Sequence, residues 1–176
     1  MDVSVRLCLL LVLLLIGGCA RSEEDQLRDA AERYREAFAD RDFAAVWNLL
    51  DRGSRQTFLE QRSSFMNLKK TDALYDTVWT LIRDQYGLER EQVEQMDARD
   101  WFIAVYEGGD RVRPELREAQ IAEARGTSVK EITVEGNQGE TRVRLPSSKE
   151  RVDFWTKEAG AWKVTASFGS LTQGGS

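Results

Sequence analysis

Near residue 128 the apolar residues of this chain stop recurring every third or fourth position and begin recurring every second one. Upstream, Leu27, Ala30, Ala31, Tyr34, Ala37 and Phe38 lie on one stripe of a helix. Downstream, residues 129–135, 141–145, 151–157 and 162–168 alternate apolar with polar side chains, the pattern of strands with one buried face. Helices first and strands together afterwards predict an α+β fold, with N-terminal helices packed on a C-terminal antiparallel sheet.

The helical part divides at local breakers. Ser22 is placed to cap the first helix, and Glu23, Glu24 and Asp25 favour the positive end of its dipole. After Asp40-Arg41-Asp42, a short helix carries Phe43, Val46, Trp47 and Leu50 and ends near Gly53. Further helices are expected over 58–69, over 72–86 with Gly87 as the stop, and over 97–106 before Gly108-Gly109. Residues 114–125 read equally as a helix end or as a first strand. Gly136-Asn137-Gln138-Gly139, Pro146-Ser147-Ser148 and Glu158-Ala159-Gly160 supply tight connections, so the sheet is expected to be a meander.

The N-terminus has a different character. An apolar run from Leu7 to Ile16 leads into Ile16-Gly17-Gly18-Cys19. About ten apolar residues span ~15 Å as a helix, roughly half a bilayer core, so the run reads as a secretory signal rather than a spanning helix. Its end resembles the lipobox of bacterial lipoprotein signal peptides. That resemblance implies lipid attachment at the Cys19 thiol, cleavage before Cys19 and acylation of the new amine. Two or more chains make such an anchor durable. Ala20, where an Asp favours inner-membrane retention in families with a sorting pathway, points to the outer membrane facing the periplasm. The expected organisation is a signal peptide over 1–18, a lipidated tether over 19–22, a single α+β domain over 23–169 and a flexible tail over 170–176. The tether reaches only about 10–15 Å, so the domain rides close to the membrane surface.

Composition removes several chemistries. The chain has no histidine, the commonest general base at neutral pH and the commonest ligand for zinc, copper and iron. On the lipoprotein reading Cys8 leaves with the signal and Cys19 is acylated, so neither disulfide nor catalytic thiol remains. Glycine-rich phosphate loops and calcium loops are absent from the sequence. No cofactor and no metal are therefore expected. A formal charge of -5 argues against nucleic acid as a partner. Asp97 and Asp100 read either as caps of the Trp101 helix or as carboxyls at a pocket mouth, where burial beside aromatics would raise their pKa.

The segment Ala31-x-x-Tyr34-x-x-Ala37-Phe38-x-x-Arg41-Asp42-Phe43-x-x-Val46-Trp47-x-x-Leu50 resembles the first two helices of the nuclear transport factor two-like superfamily, and Gly160-x-Trp162-Lys163-Val164 its closing strand. The resemblance covers residues 22–169 and implies a cone in which sheet and helices can enclose a pocket. No catalytic residue carries over. The alternation places Ile132, Val134, Val143, Leu145, Val152, Phe154, Trp162, Val164 and Phe168 on the inner face, with Tyr34, Phe38 and Trp47 meeting them from the helices. These residues either fill a core or leave a cone mouth, lined by Tyr34, Phe38, Trp47, Phe154 and Trp162, for a small apolar or aromatic ligand. The opposite face carries Arg142, Arg144, Trp155, Lys157 and Lys163, either an interface for an acidic partner or a solvated face balanced by Glu131, Glu140 and Asp153. The expected function is a membrane-anchored, non-enzymatic envelope lipoprotein acting through contacts with an envelope protein or as a scaffold. A ligand-binding module is the alternative, and an isomerase or dehydratase using a buried carboxylate with a tyrosine is the remote one.

Overall fold

The computed structural model describes residues 21–166. The expectations for residues 1–18, for Cys19, for Phe168 and for the tail over 170–176 fall outside the described residues.

Helix α1 (Glu23–Ala39) starts where Ser22 Oγ accepts the Asp25 amide at 3.0 Å, and it buries Leu27, Ala30 and Ala31. Arg41, at φ 59°, turns the chain into α2 (Phe43–Leu49), whose first turn is capped by Asp42. Leu50 is extended and forms a parallel bridge with Val164. Asp51 then caps α3 (Arg52–Met66) by accepting the Ser54 amide at 2.7 Å. This helix therefore begins before the expected residue 58, and Gly53 lies in its first turn. Helix α4 (Tyr75–Tyr86) stops at Gly87, φ 66°. A short α5 (Arg90–Gln95), closed by a Glu89/Gln92 capping box, leads to α6 (Ala98–Val112), which Asp97 caps by accepting the Asp100 amide at 2.8 Å.

Gly108-Gly109 does not end α6. A Cβ built at Gly108 would lie 2.0 Å from the Tyr86 carbonyl oxygen, so this glycine is the point at which α4 and α6 touch backbone to backbone. Packing overrides the propensity of glycine to break a helix. The ambiguous segment resolves as α7 (Pro114–Gly126), with Pro114 in its first turn.

Strands β1 (Ser128–Glu135), β2 (Gln138–Arg144), β3 (Glu150–Glu158) and β4 (Ala161–Thr165) form one antiparallel meander in sequence order. Gly136, at φ 61°, opens a two-residue turn with Asn137, so Gln138 and Gly139 belong to β2 rather than to the turn. Gly139 faces Trp155 across the β2–β3 ladder.

That pairing corrects the expected phase of β3. Trp155 is 1% exposed and faces the helices, whereas Phe154 is 52% exposed and Val152 is exposed beside it on the outer face. The physical reason is local. Gly139 lies on the helix-facing side, where a Cβ would meet Leu27 at 2.6 Å and Trp162 at 3.2 Å, so its cross-strand partner Trp155 shares that face. There Trp155 donates its indole N–H to the buried Thr141 hydroxyl at 3.0 Å. Arg151 and Asp153 share that face and neutralise one another. The core therefore runs from Leu27 and Trp155 through Val46, Leu50 and Trp47 to Phe58, Trp101 and Phe102.

Candidate ligand site

The helix-facing side of the sheet is sealed by apolar side chains along most of its length and open at one corner. There, Tyr34 and Phe38 of α1, Gln120 and Glu123 of α7, and Asp153 and Trp155 of β3 surround a cavity of about 130 Å³. One helical turn separates Tyr34 from Phe38, with ring centroids 5.9 Å apart. The Tyr34 ring meets Trp155 edge to face at 6.2 Å. Arg35 donates to the Thr127 carbonyl at 2.7 Å and ties α1 to the end of α7.

Charge in the cavity is already paired. Arg151 grips both oxygens of Asp153, at 2.8 and 3.3 Å, and reaches Glu123 at 3.5 Å. Burial, reinforced by the Asp153 carboxylate, pushes the Tyr34 phenol up to about 12. Tyr34 therefore stays protonated at neutral pH and presents a hydrogen-bond donor. Arg151 thus engages both oxygens of Asp153.

Because Tyr34 titrates above its unfolded value near 10, its contribution to stability is intact below pH ~10 and is lost as pH rises toward 12. Alkaline titration of tyrosinate absorbance in the full chain is expected to show late phenols from Tyr34 and Tyr106, with the late amplitude reduced in Tyr34→Phe. A late amplitude unchanged by that substitution would remove Tyr34 from a desolvated site.

Beyond Gln120 lies a second hollow of about 140 Å³, bordered by Arg41, Tyr106, Asp110, Arg113 and Arg117. Arg41 binds both oxygens of Asp110, donates to Gln120 Oε1 at 3.2 Å and lies over the Phe43 ring at 4.6 Å. Burial, with the nearby Tyr34 phenol as a smaller contribution, also raises the Tyr106 phenol. A larger groove of about 760 Å³ passes Lys69, Trp79 and Arg90, but it is open to solvent and mixes cations with carboxylates, so it encloses nothing.

The residues expected to line a pocket separate into two groups. Tyr34 and Phe38 border the cavity. Trp47 is packed in the core against Phe58 and Phe102, at 6.2 and 5.4 Å. Trp162, 3% exposed, lies against Leu27 beneath Lys157, and Phe154 is on the far side of the sheet. The expected basic interface also divides. Arg142 pairs with Glu131 and Arg144 with Glu150, both at 3.6 Å on the outer face, while Lys163 donates to the Asn48 carbonyl at 2.7 Å. Trp155 is buried, and Lys157 sits on the inner side, where it holds Glu23 at 2.6 Å. Arg151, Asp153, Gln120 and Glu123 were missed as site residues. The strand glycine Gly139 was the available signal, because a strand glycine marks a close approach by other elements, here Leu27 and Trp162, and so places its partner Trp155 on the inner face.

Among the described residues no cluster of three or more His, Cys, Asp or Glu could hold a metal ion, and no helix is long and apolar enough to cross a membrane. Comparison with protein-family models, with curated proteins and with solved structures returns no match to this chain. Its own geometry thus defines it as an α+β domain with a filled core and one small, hydrogen-bonding cavity at the helix–sheet corner.

Proposed function

We propose that the chain is a bacterial envelope lipoprotein anchored through Cys19, whose domain is of the nuclear transport factor two-like kind and binds a small ligand without transforming it. The observation that carries this reading is the corner cavity, open beside a filled core, where Tyr34 keeps an unspent donor while the neighbouring charges are paired. Helices on one face of an antiparallel meander support the family resemblance. The Ile16-Gly17-Gly18-Cys19 sequence supports the anchor. Tyr34 lies eleven residues into α1, about 16 Å along the axis from the tethered end. Engagement of Asp153 by Arg151 and the absence of histidine favour binding over turnover.

Native mass spectrometry of the full chain, extracted in mild detergent, is expected to show an added small mass that is lost in Ala124→Phe, which fills the cavity from α7. Cys19→Ser is expected to release the chain from the membrane fraction. An unliganded spectrum for both proteins would sink the ligand reading, and unchanged membrane retention would sink the anchor.

Phe154 favours a second reading, action through protein contact. It is exposed next to Val152 and framed by the Glu131–Arg142 and Arg144–Glu150 pairs, the composition of an interface centre with a polar rim. On this reading an envelope protein retained by the wild-type chain is lost with Phe154→Asp and kept with Ala124→Phe.

A further inference from the structure

We infer that the corner cavity and the hollow beyond Gln120 are two halves of one site roofed by α7, and that it takes a small aromatic carboxylic acid. The inference rests on the ligand-binding reading above and specifies its occupant.

A shared wall joins the two spaces. Gln120 borders both, and its side-chain oxygen is held by Arg41 from the second. The Phe38 ring flanks the junction, 5.9 Å from Tyr34 on one side and 5.7 Å from Tyr106 on the other. Each space alone is no larger than a cavity that holds benzene, about 150 Å³. Joined, they approach the lower range of small-molecule sites, about 300 Å³.

The roof packs on α1 but carries no side chain into the core. Among the described residues, α7 is the one helix with no fully buried side chain, and Leu116 and its neighbour Val112 are exposed at its start. Segments with few buried contacts open at low free-energy cost. Lifting α7 withdraws Gln120 and merges the two spaces.

The two halves differ in what they leave unsatisfied. In the first, Arg35 and Arg151 are spent on Thr127, Asp153 and Glu123, and the walls are Phe38, Tyr34 and Trp155. In the second, Asp110 is taken by Arg41, while Arg113 and Arg117 have no carboxylate partner among the described residues. An aromatic ring thus fits the first half and a carboxylate the second, with the protonated Tyr34 and Tyr106 hydroxyls as donors between them.

The test uses the full chain in detergent micelles with two probes, phenylacetate and its neutral isostere phenylacetamide. Amide shifts and hydrogen exchange are the readouts. Phenylacetate is expected to shift amides around both spaces and to slow exchange in α7. Arg117→Glu, a surface change, is expected to weaken phenylacetate about tenfold, the scale of one charge-assisted hydrogen bond, while leaving phenylacetamide unchanged. Gln120→Ala, which removes the partition, is expected to tighten phenylacetate. Equal binding of both probes with no effect of Arg117→Glu would overturn the single-site inference and leave a ligand in the corner cavity alone. If neither probe binds while native mass spectrometry shows an added mass, the inference falls and the ligand reading stands. If both experiments are empty, both fall.

Discussion

Trp155→Ala is expected to lower the free energy of unfolding by about 3–5 kcal/mol, whereas Phe154→Ala, one residue earlier in the same strand, is expected to change it by less than about 0.5 kcal/mol. The contrast follows from the phase of β3. Trp155 is 1% exposed, pairs with Gly139 on the neighbouring strand and packs against Tyr34. Its removal empties a space that the rigid sheet cannot close, and it strips the buried Thr141 hydroxyl of its indole donor. Phe154 faces water for half of its surface and leaves no cavity behind. Urea unfolding of the two variants, compared at equal slope, measures the difference directly. A costly Phe154→Ala with a neutral Trp155→Ala would place β3 in the opposite phase and dismantle the corner cavity with it.

Gly108→Ala is expected to be nearly as damaging, at about 3 kcal/mol, although it adds a single methyl group and improves helix propensity. The new Cβ would meet the Tyr86 carbonyl oxygen at 2.0 Å and the Tyr86 carbonyl carbon at 2.8 Å. Both are backbone atoms, so no rotamer change relieves the clash, and α4 and α6 must move apart. Their separation loosens Trp101 and Phe102, which are both buried on α6. Gly109→Ala is the control, since nothing lies within 4 Å of a Cβ built there. Thermal unfolding that shows Gly108→Ala as stable as Gly109→Ala would remove the close helix contact.

Most helices were legible because they carry their own signals, whereas the short α5 was missed and α7 read equally as a strand. Ser22, Asp42 and Asp97 cap helices where the sequence places polar residues before apolar stripes, and Gly87 ends α4 in the left-handed region. The period of two identified all four strands, and the two-residue turn at Ala159-Gly160, with φ of 48° and 81°, has the twist that antiparallel strands require. Phase was harder to read. Val152 and Phe154 make as good an apolar face as Trp155 alone, and only the cross-strand glycine, sixteen residues away in sequence, decides between them. The same slip hid the site, because it sent Asp153 and Arg151 to solvent with the outer charges. Gly108 misled for a related reason. Its meaning lies in the Tyr86 backbone, which no local window contains.

The latch at Asp51 ties the start of α3 to the far edge of the sheet. Asp51 accepts the Thr165 hydroxyl at 2.6 Å across 114 residues, its amide donates to the Val164 carbonyl, and Ser54 receives the Ala166 amide. Closing a loop of that length costs about 4 kcal/mol before any contact repays it. Leu50 bridges Val164, so β4 fixes the point at which α2 hands over to α3. A chain cut before Val164 thus loses the strand that closes its core and the clasp on Asp51 together.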